Sequence, residues 1–139
     1  MCIGSKKGDD EIGPFIARHF PKTEGIEVFD CGLYPEHFSD LSKDFDRVII
    51  IDAVDMNLPA GEIRLVPKEK LPRGVLSTHG IPLYLLVDFL EREGKEVIFI
   101  GIQPAKLEGE MSEEVKMAGE KLIKMISEDK LDEIEELRE

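Results

Sequence analysis

The sequence predicts an α/β fold in which helices flank a mostly parallel, twisted sheet, forming a single three-layer domain over residues 1–139. Strand patterns and helix patterns alternate along the chain, as they do in folds built on parallel sheets. Residues 48–51 form an unbroken β-branched run without polar alternation, which is typical of a strand covered on both faces. Residues 96–101 have the same character, so we expect at least two buried strands.

The spacing of apolar residues predicts the helices. Leu83, Leu86, Val87 and Leu90 recur at intervals of three and four, which places them on one face of a helix. The same spacing is found in three other segments. The predicted helices span residues 11–20, 35–43, 81–93 and 112–127.

Shorter apolar stretches predict the remaining strands. Residues 26–31 form a short strand that ends at a glycine, and residues 61–66 alternate, as expected of an edge strand. Only residues 1–3 are available for a strand before the first helix. The acidic segment from about residue 128 to 139 is expected to be a solvated helical tail.

Composition and charge narrow the function. The net charge of −12 argues against nucleic acid and anionic membrane surfaces as partners, because both require clustered basic residues. No apolar run approaches the roughly 20 residues of a membrane span, and no export signal is visible, so we expect a cytoplasmic protein.

Cys2 and Cys31 form neither a metal-binding pattern nor a disulfide framework. The single asparagine and single glutamine, Asn57 and Gln103, favour a thermophilic source.

Candidate functional residues lie where strands end. Because ligands of open α/β sheets bind at the carboxyl ends of strands, we expect Asp10, Asp52 and His79 to meet at one edge. Asp52 follows an apolar run, where a charge requires hydrogen-bond donors, a cation or a metal, although it could also cap a backbone turn. Asp9 and Asp10 begin a helix, so one of them can cap it and leave the other free.

Two aspartates and one histidine at one edge would form a three-ligand site with open positions, suited to a divalent ion such as nickel or zinc. A lone histidine is more often structural than a ligand, so a structural role for His79 is the alternative. A nucleotide-binding domain is the less supported alternative, because no glycine-rich phosphate loop joins a strand to a helix.

Five motifs follow one another along nearly the whole chain. They are Gly8–Pro14, Asp30–Gly32, Ile51–Met56 with Pro59–Ile63, Ser77–His79 with Pro82–Leu83, and Gly101–Pro104 with Met111–Val115. In this order they resemble the motifs of the hydrogenase maturation protease family. The Gln-Pro and Thr-His forms of the later motifs are closest to the branch that serves hydrogenase 3 and related archaeal hydrogenases, and Ser5 stands where asparagine is common.

The resemblance implies an endopeptidase that removes the C-terminal extension of a nickel-loaded [NiFe] hydrogenase large-subunit precursor. It implies that Asp10, Asp52 and His79 are both the metal ligands and the catalytic residues, and that the nickel is the substrate's own or is replaced by another divalent metal. Either the metal polarises the scissile carbonyl or a water, or a carboxylate is the general base and the metal serves recognition. A non-catalytic module that inspects the same precursor is the alternative function.

Overall fold

The computed structural model describes residues 1–71 and 82–138, and within these ranges it contains one five-stranded sheet. The strands are β1 (Cys2–Ile3), β2 (Asp30–Gly32), β3 (Arg47–Ala53), β4 (Ile63–Leu65) and β5 (Glu96–Ile102). The sheet order is β2-β1-β3-β5-β4. The first four strands in this order are parallel, and β4 runs antiparallel to β5 at one edge. The predicted mostly parallel sheet is confirmed.

Helices cover both faces of the sheet. They are α1 (Ile12–His19), α2 (Leu83–Arg92) and α3 (Glu113–Ser127). Because side chains alternate along a strand, Ile51 and Ile100 pack in the apolar cluster with α1 and α3, whereas Ile50 and Phe99 pack in the cluster with α2. No helix within residues 1–71 and 82–138 is long and apolar enough to cross a membrane.

Two predicted elements differ in the structure. The helix expected at residues 35–43 is a 3-10 helix over Pro35–Asp44, a segment rich in serine and aspartate, which favour local turns over α-helix. The strand expected at residues 26–31 is reduced to β2. Its neighbour β1 is only two residues long, so few residues can pair with it.

The acidic segment after α3 is not the helical tail that its composition predicts. The chain turns at Asp129, whose φ is 57°, and then forms a short 3-10 turn over Leu131–Glu133. Leu131 and Ile134 are buried in the cluster with α1 and α3. Burial of these two apolar side chains draws the segment onto the protein surface, which a count of charges does not anticipate.

The end of this segment pairs with the outer edge of β4. The Leu65 N–H donates to the Glu135 carbonyl at 2.8 Å, and the Leu137 N–H donates to the Leu65 carbonyl at 2.8 Å. Leu65 and Glu136 form a parallel bridge. The sheet therefore gains a single strand-like pair beyond β4.

Candidate active site

The carboxyl end of β3 carries a buried aspartate. Asp52 is 1% exposed and is the penultimate residue of β3, opposite Gly101 of β5. Strand alternation directs its side chain to the same face of the sheet as Ile50, which is the face covered by α2. Asp52 therefore lies at the carboxyl end of a buried strand, where the sequence predicts it.

Asp10 lies in a 3-10 turn, Gly8–Glu11, that precedes α1 and is called the 8–11 turn below. Cα atoms of the 8–11 turn lie within 8 Å of Cα atoms of β3. Gly4 follows β1 with a φ of 153°, and a Cβ there would overlap the Asp10 carbonyl oxygen, so glycine permits the turn to sit on the end of β1. The structure therefore brings the turn of Asp10 and the strand of Asp52 to one edge.

The Asp10 carboxylate is held by Ser5. Its Oδ2 accepts hydrogen bonds from the Ser5 N–H and the Ser5 Oγ, each at 2.8 Å. Neither Asp9 nor Asp10 caps α1, since the residue at the N-cap position, Glu11, makes no side-chain cap hydrogen bond. Ser5 thus orients a candidate site residue.

Asp9 is fully buried and connects the 8–11 turn to residues 105–112, called the 105–112 loop, which join β5 to α3. Its carboxylate accepts hydrogen bonds from the N–H groups of Ala105 (2.6 Å), Lys106 (3.0 Å) and Ser112 (2.6 Å), and from the Ser112 Oγ (2.9 Å). Burial acts to raise the pKa of Asp9, but these hydrogen bonds outweigh it and lower the pKa below its usual value. Asp9 is therefore an ionised group that holds these two segments together.

His79, the third predicted site residue, lies outside the described residues. Within residues 1–71 and 82–138, no group of three histidine, cysteine, aspartate or glutamate side chains is arranged to hold a metal ion. The segment that carries His79 precedes α2, which covers the face of the sheet to which Asp52 points. The three-residue ligand set remains a prediction.

Gln103 belongs to the motif Gly101–Pro104 and is buried at this edge, where it has contacts that the sequence does not predict. It is 6% exposed, and its Oε1 accepts the N–H groups of Met56 at 2.5 Å and Leu58 at 3.3 Å. Its Nε2 donates to Asp55 at 3.2 Å. The Asn57 N–H and the Gln103 amide lower the pKa of Asp55. Gln103 thereby fixes the loop that follows Asp52; a lone glutamine directly after an apolar strand was the available signal.

This edge combines a half-buried carboxylate, that of Asp10 in the 8–11 turn, with a buried one, that of Asp52 on β3. Carboxylate oxygens can bind a divalent cation or accept a proton from water, which are the two abilities that metal-assisted or general-base hydrolysis requires. The fold and this edge together define a three-layer α/β protein with an acidic site at the carboxyl ends of its strands.

Comparisons with known proteins identify the family. The sequence profile described as hydrogenase maturation protease matches residues 12–129, a range that includes Asp52 and His79. The hydrogenase 3 maturation protease of Escherichia coli K12 is 39% identical over 111 residues, covering 75% of this chain and 70% of that protein. A putative hydrogenase maturation protease of Methanocaldococcus jannaschii is 29% identical over 153 residues, covering 99% of this chain and 88% of that protein.

Solved structures agree with the sequence relatives. A crystal structure of a hydrogenase 3 maturation protease superposes with a TM-score of 0.86 at 32% identity, covering 99% of this chain and 94% of that one. A [NiFe] hydrogenase maturation protease of Thermococcus kodakarensis KOD1 superposes with a TM-score of 0.80 at 29% identity, covering 93% and 88%. The chain belongs to the hydrogenase maturation protease family, as its motifs predict.

Proposed function

We propose that this protein is the endopeptidase that removes the C-terminal extension from a nickel-loaded [NiFe] hydrogenase large-subunit precursor. The observation that carries the proposal is the position of Asp52, a buried carboxylate at the end of a central strand and beside the turn of Asp10. Membership of the hydrogenase maturation protease family supports the reaction type. We expect the protein to act in the cytoplasm.

In this proposal Asp10, Asp52 and His79 contact the nickel of the precursor. A buried carboxylate is costly unless a cation or hydrogen-bond donors compensate it, and a divalent ion brought by the substrate supplies a positive charge. The nickel is thus part of the substrate, and we expect another divalent metal to replace it in part. Recognition of the metal would restrict cleavage to precursors whose centre is already assembled.

Hydrolysis then requires a water to add to the scissile carbonyl carbon and a proton to reach the departing amine. In one scheme the metal polarises the carbonyl or the water, and in the other Asp10 or Asp52 takes the proton from water while the metal serves recognition. Precursors loaded with nickel or zinc separate these schemes. A metal that participates in chemistry changes kcat, whereas a metal that serves recognition changes KM.

The deciding experiment is to incubate the protein with large-subunit precursor, with and without nickel, and to follow intact mass. Loss of a short C-terminal peptide from the nickel-loaded precursor alone would support both the endopeptidase activity and its dependence on the metal. Asp52→Asn and His79→Ala serve as matched inactive variants. If the mass of several related precursors stays unchanged while the precursor still binds, the protein is a non-catalytic module that inspects the nickel centre.

A further inference from the structure

The environment of Asp9 indicates more than a stabilising contact. Both of its carboxylate oxygens are used by the 105–112 loop: Oδ1 accepts the Ser112 N–H, and Oδ2 accepts the N–H groups of Ala105 and Lys106 together with the Ser112 hydroxyl. Asp9 thus forms hydrogen bonds with both ends of the 105–112 loop. Hydrogen bonds to an ionised carboxylate are stronger than those between neutral groups, so the loop is held in one position.

The backbone makes the same connection in the opposite direction. The Asp9 N–H donates to the Lys106 carbonyl at 2.8 Å, and the Gly8 N–H donates to the Gly109 carbonyl at 2.9 Å. Gly8 has a φ of 54°, and a Cβ there would lie 2.5 Å from the backbone nitrogen of Glu108, so the two chains are in direct contact. The 8–11 turn and the 105–112 loop therefore form one unit.

This unit sets where Asp10 stands relative to Asp52. Residues 103 and 104 connect the carboxyl end of β5 to the 105–112 loop. β5 pairs with all of β3, where Asp52 lies opposite Gly101. Asp10 is joined to Asp9 by a peptide bond. The position of Asp10 relative to Asp52 is therefore set by the β3–β5 pairing, by the 105–112 loop and by the hydrogen bonds of Asp9 to that loop. On the basis of the proposed function, we infer that Asp9 is a positioning residue that holds Asp10 in place for the nickel-bearing substrate.

The substitution Asp9→Asn tests this inference with almost no change in size. An amide has one acceptor oxygen in place of two, so whichever way it turns, its NH₂ group faces at least one of the loop N–H groups. Residue 9 then loses its charge and some of its hydrogen bonds to the 105–112 loop, so the 8–11 turn is no longer held against that loop. Because substitutions of residues that orient metal ligands typically cost about 10- to 100-fold in affinity or activity, we expect kcat/KM for the nickel-loaded precursor to fall by that factor.

A direct measure of the Asp10 position does not depend on catalysis. The Ser5 N–H donates to Asp10 Oδ2, so the exchange rate of the Ser5 amide hydrogen, followed by NMR, reports whether Asp10 stays in place. We expect this exchange to be faster in Asp9→Asn than in the native protein. Ser112→Ala, which removes one of the four hydrogen bonds, should have a smaller effect, and Ser112→Thr, which keeps the hydroxyl, should restore native behaviour.

A matched control separates positioning from loss of stability. Ile126→Ala destabilises the buried core through α3, and both assays are run well below the unfolding temperature of every variant. If Asp9→Asn resembles Ile126→Ala, with native Ser5 exchange and kcat/KM within about twofold of native, Asp9 is only structural and the inference is wrong. If the native protein cleaves no precursor, the proposed function fails, while Ser5 exchange still decides whether Asp9 positions Asp10.

Discussion

Asp9 and Asp52 are two buried carboxylates near the same edge of the sheet, yet their surroundings differ. Asp9 lies in a turn and meets three backbone N–H groups and a hydroxyl of a loop about 100 residues away in sequence. Asp52 lies inside a central strand, directly after the apolar run of residues 48–51. The comparison teaches that burial alone does not assign a role. The donors around Asp9 explain how it stays ionised and holds the 105–112 loop, whereas a role in the reaction is proposed for Asp52 because of its position at the end of a central strand.

The largest effect is expected from Asp52→Asn. If Asp52 binds the substrate's nickel or acts as the base, cleavage of the nickel-loaded precursor should fall by about 10²- to 10⁴-fold, while the unfolding temperature changes by only a few degrees. Intact-mass kinetics and thermal unfolding measure the two quantities on the same sample. Near-native cleavage would show that Asp52 has no role in the reaction, and complete loss of the fold would show that its role is structural. Either result would mean that Asp52 and Asp9 do not differ in the way proposed.

A loss of stability larger than that of Asp52→Asn is expected from Asp9→Ala, in addition to the loss of activity inferred for Asp9→Asn. The substitution leaves three loop N–H groups without their buried acceptor, at a cost of about 3 to 5 kcal/mol in the free energy of unfolding. Urea unfolding measures this loss. Asp88→Asn, at an aspartate that forms ion pairs on the surface of α2, is the matched control and should leave the urea midpoint close to native.

The pH dependence of unfolding tests the cause of this stability. Because the pKa of Asp9 is lower in the folded chain than its usual value of about 4, its contribution is complete above that pH and is lost as the pH falls through the folded pKa. The free energy of unfolding should therefore decrease more steeply below about pH 4 in the native protein than in Asp9→Ala. Parallel pH profiles would show that another group carries the charge dependence.

A smaller effect is expected from removal of residues 135–139, which pair with β4 through two backbone hydrogen bonds. The free energy of unfolding should fall by roughly 1 to 3 kcal/mol, less than for Asp9→Ala, since Ile134 keeps its buried position. The truncation also uncovers the outer edge of β4, so we expect concentration-dependent self-association by light scattering. A truncated chain that stays monomeric and fully stable would mean that the segment contributes nothing.

The sequence predicts the elements whose apolar pattern is strong and local. The β-branched run of β3, the run of β5 and the helical spacing of α2 and α3 all appear within a few residues of the expected bounds. The edge position of Asp52 follows from a general rule of parallel sheets. The role of Asp9 could not be predicted, because its partners begin 96 residues later and its local sequence is equally that of a helix cap. The prediction of a solvated helical tail after Ser127 is wrong because it rests on the many charged residues there and overlooks the two apolar residues, Leu131 and Ile134, that are buried.

The smallest expected effect concerns Cys31, which lies in β2 within the motif Asp30–Gly32. Its side chain is 3% exposed, and burial raises the pKa of its thiol to about 12. Since the thiolate is the reactive form, iodoacetamide at neutral pH should modify Cys31 only as the protein unfolds, and Cys2, also buried with a raised pKa, should behave alike. Mass spectrometry after labelling in buffer and in denaturant measures this. Cleavage should continue in the treated native protein, whereas rapid labelling with loss of activity would place a thiol at the reaction centre beside the carboxylates.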